Sequence, residues 1–243
     1  MPRFFIDYVP DCDSIILTGD DAHHISRVLR MKSGENLTIC DGMGTDYLCA
    51  LSHTDSGKAH CHIQGRVSSR GEPTTNVTLF MALPKGDKMD FIVQKAVELG
   101  VHTIVPYAAS RCVSRPDGKA LAKKIERWRR IAREAAQQCG RGRVPAVTEC
   151  VDFCGAAERC AKNEMPLFFY EMEQETSVRM ALRAHTFASA GIMIGPEGGF
   201  EEEEAQIARQ CGLTSVSLGP RILRCETAPL AALTAVLYES GNL

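Results

Sequence analysis

Hydrophobic and polar positions divide the chain into two regions with different periods. Up to about residue 70, short apolar runs such as 36–40 and 46–51 alternate with polar residues and are separated by turns that contain glycine. Alternation with period two predicts half-buried strands, and the glycine turns predict hairpins between them. We therefore predict a small β-rich barrel or sandwich over residues 1–70, interrupted by one amphipathic helix at 21–31.

A polar stretch at 68–76, with the composition of a linker, is followed by strands and helices in alternation. The predicted strands are 77–83, 102–107, 166–171, 191–194 and 215–218, and the predicted helices are 87–99, 119–139, 201–211 and 226–239. This alternation predicts an α/β layer structure with a mainly parallel sheet. The pattern thus divides the chain into two domains, 1–70 and 71–243.

The composition is that of a soluble globular protein, with 44% hydrophobic and 24% charged residues. Apolar runs fall short of the roughly 18 residues that indicate a membrane span, and the N-terminus lacks the apolar core of a signal peptide. We therefore expect a cytoplasmic protein without membrane association. The eleven cysteines match no common zinc pattern, and the adjacent His23 and His24 would point apart on a helix, so we expect buried thiols and no metal.

The net charge of −2 conceals a strongly basic segment between Arg111 and Arg143. That segment contains eleven Lys or Arg residues against three acids, a local charge of about +8 that would attract a polyanion such as RNA. A solvated helix face would have the same composition, so the charge alone leaves both interpretations open. The helix predicted at 119–139 carries apolar residues at helical spacing, which places its basic residues on the outer faces.

Three strand ends carry residues that could form a small-molecule pocket. They are 170–173, 194–200 and 218–228, and the latter two are rich in glycine and proline. Ligands of open parallel sheets bind at the carboxyl ends of strands, where glycine lets the backbone approach a small molecule. Neither GxGxxG nor GxxxxGK(S/T) is present, which argues against a dinucleotide fingerprint and a P-loop. The four glutamates at 201–204 fit the first turn of a helix better than a metal site.

Five segments together carry a family resemblance. They are IGPEGGF at 194–200, LGPRILRCETA at 218–228, KGDKMDFIVQKAVELGV at 85–101, RWRRIAREAAQQCGRGRVP at 127–145 and AHHISRVLRMKSGENL at 22–37. Together they resemble the RsmE family of bacterial small-subunit ribosomal RNA uridine N3-methyltransferases, in the SPOUT superfamily. The resemblance covers nearly the whole chain. Cys225 and Cys139 depart from it, because the family commonly has threonine and serine at these positions.

The resemblance implies an α/β fold in which an N-terminal PUA-like β-barrel, an RNA-binding domain, precedes a SPOUT-type methyltransferase domain tied in a deep trefoil knot. It also implies a homodimer, S-adenosyl-L-methionine as methyl donor, and 16S ribosomal RNA or the small ribosomal subunit as substrate. The implied reaction methylates N3 of a specific uridine during rRNA processing. On the family's pattern, the residues of the S-adenosylmethionine site are Glu171, Gly195, Gly198, Leu218, Gly219, Ile222, Leu223, Arg224 and Thr227.

Methyl transfer to uridine N3 requires loss of a weakly acidic proton, so the protein needs a general base or donors that stabilise charge on the uracil oxygens. Arg224 is the candidate for charge stabilisation because a guanidinium presents fixed paired donors, although a salt bridge with Glu226 is an alternative role. Glu226 and Glu98 are the candidates for the base. The basic residues expected near RNA phosphates are Arg27, Arg30, Lys85, Lys88, Lys95, Arg111, Arg115 and Arg141.

Two other classes of function remain open at this point. A non-catalytic RNA-binding protein would use the same β-barrel and basic segment, but it has no need of pocket residues at three strand ends. A nucleotide-dependent enzyme would use the loops for phosphate, but IGPEGGF lacks the Lys and Ser/Thr of a P-loop. We therefore predict an RNA methyltransferase.

Overall fold

The computed structural model describes residues 1–243 and contains two compact units. The first comprises Met1–Glu72 and Ala136–Val144, and the second comprises Pro73–Ala135 and Pro145–Leu243. The short second segment of the first unit is distant from the rest of that unit in sequence, so no local pattern indicates where it belongs. The domain division 1–70 and 71–243 stays a prediction. None of the helices is both long and apolar enough to cross a membrane.

The first unit is built on one five-stranded sheet. Its elements are β1 (Arg3–Phe5), β2 (Ser14–Leu17), α1 (Gly19–His23), a π-helical turn (His24–Val28), β3 (Asn36–Cys40), β4 (Thr45–Asp55) and β5 (Lys58–Ser68). The strand order is β1-β3-β4-β5-β2, and Ser56 and Gly57, with φ values of 40° and 76°, form the tight turn between β4 and β5. The β-rich prediction is confirmed.

The helix predicted over 21–31 is only partly correct. The helical turns begin earlier, at Gly19, and widen to π-helical hydrogen bonding at His24, where the Leu29 amide donates to the His24 carbonyl at 2.8 Å. Arg30 has a φ of 52°, a left-handed conformation through which a right-handed helix cannot continue. The spacing of apolar residues predicted the position of this helix. It could not predict the change from α-helical to π-helical hydrogen bonding.

Cys49 and Cys61 lie in the hydrophobic core of the first unit, with neighbours such as Phe4 and Leu37. Burial raises the pKa of Cys49 to about 12 and the pKa of Cys61 to about 11, so both thiols are protonated at neutral pH. All eleven cysteines are free and six are buried, which confirms the expectation of buried thiols for these six. In the core they pack as small hydrophobic groups.

Arg141 forms a buried ion pair in the first unit and is only 4% exposed. Its guanidinium donates to both carboxylate oxygens of Glu72, at 3.2 Å from Nε and 2.7 Å from Nη2, and Glu72 also accepts from the amides of Gly142 and Arg143. The expectation that Arg141 contacts RNA phosphates is therefore corrected. A buried guanidinium already paired with a carboxylate is not available to a phosphate, and here it fastens 136–144 to the first segment of the unit.

We expect Glu72→Ala to lower the free energy of unfolding by about 2 kcal/mol, because the largely buried Arg141 loses its carboxylate partner. Urea denaturation measures this change. The matched control is Glu134→Ala, which removes an exposed pair with Arg130 at 3.8 Å and should change stability by less than about 0.5 kcal/mol. Equal effects of the two substitutions would contradict the assigned role of Glu72.

The second part of the chain forms a seven-stranded sheet with helices around it. Its strands are β6 (Asn76–Ala82), β7 (Thr103–Ala108), β8 (Ala146–Val147), β9 (Val151–Asp152), β10 (Met165–Phe169), β11 (Ser189–Ile194) and β12 (Thr214–Val216). Its helices are α2 (Lys88–Leu99), α3 (Gly118–Cys139), α4 (Phe153–Cys160), α5 (Val178–Leu182), α6 (Glu202–Gln210) and α7 (Ala228–Glu239). The order is β12-β10-β11-β6-β7-β8, with β9 also pairing β7, and every pairing is parallel.

The predicted α/β alternation is confirmed, and most of the predicted elements shift by only one to three residues at their ends. The predicted apolar face of α3 is buried at Ile125, Trp128 and Ala132, whereas Cys139 at its end is exposed. Hydrophobic period missed α4, α5, β8 and β9. Elements this short contain too few positions for a period to be recognised.

Candidate functional site

Three loops meet in the second unit because the strands that precede them are neighbours. In the sheet, β10 lies between β12 and β11, and all three run parallel. Their carboxyl ends therefore lie side by side, and the loops that begin at Tyr170, Gly195 and Ser217 leave from the same edge. Open parallel sheets bind their ligands at this kind of edge.

A cavity of about 580 Å³ opens among the three loops, a size typical of small-molecule sites. Four glycines line it, Gly195, Gly198, Gly199 and Gly219, and these contribute backbone atoms to the wall. Apolar side chains supply most of the rest, and they include Phe169, Ile194, Val216, Leu218, Ile222 and Leu223. The cavity therefore offers backbone donors and acceptors in an apolar setting, which suits a ligand with a flat heteroaromatic part.

Glu171 holds the loop that follows β11. Its Oε1 accepts a hydrogen bond from the Phe200 amide at 2.9 Å. Gly199 has a φ of +67°, and a Cβ at this position would overlap the Glu171 carboxylate. At Gly195, a Cβ would lie 2.9 Å from the Phe200 ring. At Gly195 the contact with the Phe200 ring favours glycine, whereas at Gly199 the backbone conformation favours it and a side chain would displace the Glu171 carboxylate.

Phe200 anchors the same loop in an aromatic cluster. Its ring centroid lies 4.4 Å from that of Phe168 and 6.0 Å from that of Phe153. Tyr107 adds a polar anchor, because its hydroxyl donates to the carbonyl of Ile194 at 2.8 Å. These contacts fix the end of β11 and the loop beyond it, so the cavity wall is preformed on this side.

Lys88, at the start of α2, joins two of the cavity loops. Its Nζ lies 3.0 Å from Oε1 of Glu197 and 3.1 Å from Oε2 of Glu226. The Glu197 oxygen also accepts from the amide of Lys85 at 3.1 Å. The Cys225 thiol donates to Glu226 at 3.3 Å and lies 3.6 Å from the Lys88 nitrogen. We refer to Lys88, Glu197, Cys225 and Glu226 as the lysine cluster.

The lysine cluster fixes the charge state of its members. Hydrogen bonds to Glu197 and Glu226 raise the pKa of Lys88. Burial raises the pKa of Glu197, but the bonds from Lys88 and from backbone amides outweigh burial and lower that pKa to about 2. The pKa of Glu226 is lowered mainly by a hydrogen bond from its own backbone amide, and further by the hydrogen bond from Lys88. Burial, followed by the neighbouring carboxylates, raises the pKa of Cys225 to about 12. Near neutral pH the cluster therefore contains an ammonium, two carboxylates and a neutral thiol.

The structure brings most of the predicted cofactor residues to the cavity wall. They are Glu171, Gly195, Gly198, Leu218, Gly219, Ile222, Leu223 and Arg224. Thr227 is the exception, because it is exposed just before α7 and does not line the cavity. Glu226 also lies off the wall, and its ion pair is with Lys88 rather than with Arg224. Arg224 is exposed and makes no side-chain ion pair. The roles of these residues stay predictions.

The basic residues predicted to contact RNA have varied surroundings. Arg27, Arg30 and Lys85 are exposed. Lys95 pairs with Glu98 at 2.8 Å on the surface of α2. Glu98, the other candidate for the base, does not line the cavity. Two further arginines, Arg111 and Arg115, are exposed but already make hydrogen bonds. Arg111 donates to the Gly198 carbonyl and pairs with Glu201. Arg115 donates to the carbonyls of Cys112 and Ser110.

Sequence reasoning did not identify Glu197 or connect Lys88 with the cavity. Glu197 lies inside the IGPEGGF segment, so its position in a glycine-rich loop was the available signal. For Lys88 there was no such signal. Its contacts with Glu197 and Glu226 depend on how α2 packs beside the loops that follow β11 and β12. The pairing is a tertiary feature.

Comparison with known proteins assigns both parts of the chain to described domain families. Residues 71–237 match the model of an RNA methyltransferase domain, and residues 17–64 match the model of an RNA methyltransferase PUA domain. The first match covers the β-strands and loops that form the cavity, and the second covers most of the five-stranded sheet of the first unit.

Full-length relatives carry a more specific name. The chain is 36% identical to the ribosomal RNA small subunit methyltransferase E of Bacillus subtilis, over 100% of this chain and 98% of the relative. It also resembles a ribosomal RNA small subunit methyltransferase E from Neisseria gonorrhoeae, whose crystal structure contains bound S-adenosylmethionine. The two sequences are 33% identical, and the structures match with a TM-score of 0.85 over 98% of this chain and 97% of that chain. A methyltransferase from Legionella pneumophila, solved with the same cofactor, is 29% identical to this chain. The two structures match with a TM-score of 0.88 over 97% of this chain and 96% of that chain.

Proposed function

Because the chain belongs to the ribosomal RNA small subunit methyltransferase E family, we propose that it transfers the methyl group of S-adenosyl-L-methionine to N3 of a uridine in 16S ribosomal RNA. The observation that carries the proposal is the cavity at the ends of β10, β11 and β12, with the charged lysine cluster beside it. Cavity and cluster together provide what the reaction needs, a site for the methyl donor and an ammonium donor held in place by two carboxylates.

The cavity walls fit the proposed methyl donor. Backbone amides and carbonyls of the loops at Gly195 and Gly219 can recognise an adenine edge, and Ile194 and Leu223 offer apolar contacts for its faces. The four glycines on the wall, Gly195, Gly198, Gly199 and Gly219, have no side chains that would fill the cavity. When bound, S-adenosylmethionine supplies an electrophilic methyl group on a sulfonium centre. The residues that would hold it are the predicted set on the wall.

Charge stabilisation is the contribution that we propose for Lys88. Uridine N3 attacks as its proton leaves, and negative charge then develops on the uracil oxygens. The Lys88 ammonium lines the cavity and is oriented by two carboxylates, so it can donate to such an oxygen without reorganising. Arg224 lines the same cavity with its guanidinium unpaired, and we propose that it is the second donor.

Glu226 fits a positioning role better than the role of general base. Its lowered pKa makes its carboxylate a weak proton acceptor in this state, and its Oε2 is already bonded to Lys88. We propose that it holds the Lys88 ammonium in place. Glu197, whose pKa is about 2, does the same from the opposite loop. The uridine N3 proton then passes to solvent water, and stabilisation of the uracil anion takes the place of a strong base.

The RNA would be held partly by cationic side chains that are exposed or partly exposed. We propose this role for Arg27 and Arg30 in the first unit, and for Lys85, Lys88, Lys95, Arg111 and Arg115 in the second. Four remaining features rest on the family resemblance and are proposed with it: a SPOUT-type trefoil knot, a homodimer, a cytoplasmic location, and the small ribosomal subunit as the form of the substrate. The division into domains at 1–70 and 71–243 is proposed on the sequence pattern. We propose no metal in the methyl-transfer site.

The proposed function is tested by incubating the purified chain with S-adenosylmethionine and 16S ribosomal RNA, either free or in small subunits from cells that lack the gene. Mass spectrometry of the digested RNA should show a new methyl group on N3 of one uridine. Methylation of a ribose or of another base would contradict the proposed reaction. Binding of RNA without any methyl transfer, and without S-adenosylmethionine binding by calorimetry, would favour a non-catalytic RNA-binding protein.

We expect Arg224→Ala to lower the methylation rate by about tenfold to a hundredfold, because one of two donors to the uracil oxygens is lost. Calorimetry measures S-adenosylmethionine binding in the same variant, which should change less than the rate. Arg179→Ala is the control, because Arg179 is an exposed arginine of α5 that does not line the cavity. Unchanged turnover of the Arg224 variant would remove Arg224 from the mechanism.

A further inference from the structure

A largely exposed cluster of two histidines and an aspartate lies at the end of the β4–β5 hairpin, in the first unit. His60 Nε2 is 3.2 Å from one carboxylate oxygen of Asp55, and His53 Nε2 is 3.7 Å from the other. All three ligand atoms lie within 4.8 Å of one another. We propose that His53, Asp55 and His60 form a binding site for a divalent transition metal ion such as Zn²⁺.

The hairpin backbone holds the three residues together. His53 and His60 are directly opposite each other in the strand register, and their rings stack with centroids 4.3 Å apart. The strand register shifts between Leu51 and His53, as it does at a β-bulge. Such an irregularity changes the direction of the side chains that follow it. The tight turn through Ser56 and Gly57 then fixes Asp55 beside the two rings. Most of the ordering that a metal site requires is therefore already present in the strands.

The distances fit a transition metal after a small adjustment. Bonds of about 2.0–2.1 Å to nitrogen and oxygen in tetrahedral geometry place neighbouring ligand atoms roughly 3.3 Å apart. The two nitrogen–oxygen distances bracket this value. A metal lies in the plane of each imidazole, so the stacked rings, now 7° from parallel, must tilt apart to reach one ion. The His53 and Asp55 side chains are more than half exposed and can turn without disturbing the core.

The ligand types determine which ions the site would take. Two imidazoles and one carboxylate suit zinc, cobalt, nickel or copper, whereas magnesium and calcium prefer sites made of oxygen alone. Three protein ligands leave at least one position for water. No metal was predicted from the cysteines, from His23 and His24, or from the glutamates at 201–204. The present site combines two strands, and it is independent of the proposed methyl transfer.

Cobalt(II) is the probe for the test, because its visible absorption reports ligand geometry and its near-ultraviolet charge-transfer band reports thiolate ligands. The full chain should bind one Co²⁺ with visible absorption and no thiolate band. His53→Ala and His60→Ala should each weaken binding at least about tenfold. His62→Ala is the matched control, since His62 is an exposed histidine of β5 outside the cluster, and it should leave binding unchanged.

Circular dichroism should show that the variants keep the fold, because the replaced side chains lie on the outer face of the hairpin. Unchanged affinity in the His53 or His60 variant would overturn the proposal. So would a thiolate charge-transfer band, which would assign the bound ion to one of the exposed cysteines, Cys12, Cys139 or Cys154. Absence of visible absorption with cobalt in large excess would overturn it as well.

Discussion

Replacing Lys88 by methionine is expected to lower the methylation rate by about a hundredfold or more, because the reaction loses a charged donor held in place before the substrate arrives. Methionine keeps much of the apolar length of the lysine side chain, so the change removes mainly the charge. The variant should still bind S-adenosylmethionine, since the cofactor residues on the glycine-rich loops are untouched. Single-turnover kinetics with saturating RNA separates the effect on the chemical step from weaker RNA binding.

Three further variants test this interpretation of Lys88. Lys88→Arg keeps a positive charge and should recover part of the lost rate. Glu226→Gln removes one of the two carboxylates that orient the ammonium, at 3.1 Å, and should cost less than loss of the lysine itself. Lys162→Met, at an exposed lysine outside the site, should have no effect. An unchanged rate for Lys88→Met, or a larger loss for Glu226→Gln than for Lys88→Met, would contradict the assigned roles.

The raised pKa of Lys88 also predicts a pH dependence. A group whose pKa is raised stays protonated to higher pH, so the ammonium keeps its charge from neutral into mildly alkaline solution. Uridine N3, by contrast, loses its proton more readily as pH rises. The rate should therefore increase with pH across this range and should not decline because Lys88 loses its charge.

Replacing Gly199 by valine is expected to weaken S-adenosylmethionine binding by more than about tenfold. The φ of +67° is a conformation that a β-branched residue avoids, at a cost of roughly 1–3 kcal/mol. In addition, the new Cβ would overlap the Glu171 carboxylate, which must then release the Phe200 amide. The loop after β11 would lose the contact that shapes this side of the cavity. Calorimetric titration with S-adenosylmethionine measures the change.

Gly42→Val provides the control for backbone strain. Gly42 has a nearly equal φ of +71°, but no atom lies within 4 Å of the position of its Cβ, and it belongs to the first unit. This variant should lose stability from strain and keep its affinity for S-adenosylmethionine. If Gly199→Val bound the cofactor as tightly as the wild-type chain, the close contact with Glu171 would have no part in forming the site.

Local pattern in the sequence was enough to predict much of the fold and the position of the cavity. Alternation of apolar residues predicted β3 at its observed bounds, and the change of period after residue 70 predicted the parallel α/β sheet. The glycine-rich loops after β11 and β12 indicated a ligand site, because a chain segment that needs glycine beside a strand end can be recognised without knowing its neighbours. The identity of the ligand required the family resemblance.

Tertiary structure decided the contacts between residues distant in sequence. Lys88 meets Glu197 and Glu226 only because the strand order places the loops after β11 and β12 near the start of α2. Arg141 belongs to a basic segment, yet it is buried against Glu72. The spacing of apolar residues shows which face of a helix or strand is buried. It carries no information about which distant element covers that face. The sequence therefore determined the elements and the loops, whereas their pairing determined the charge state of the site.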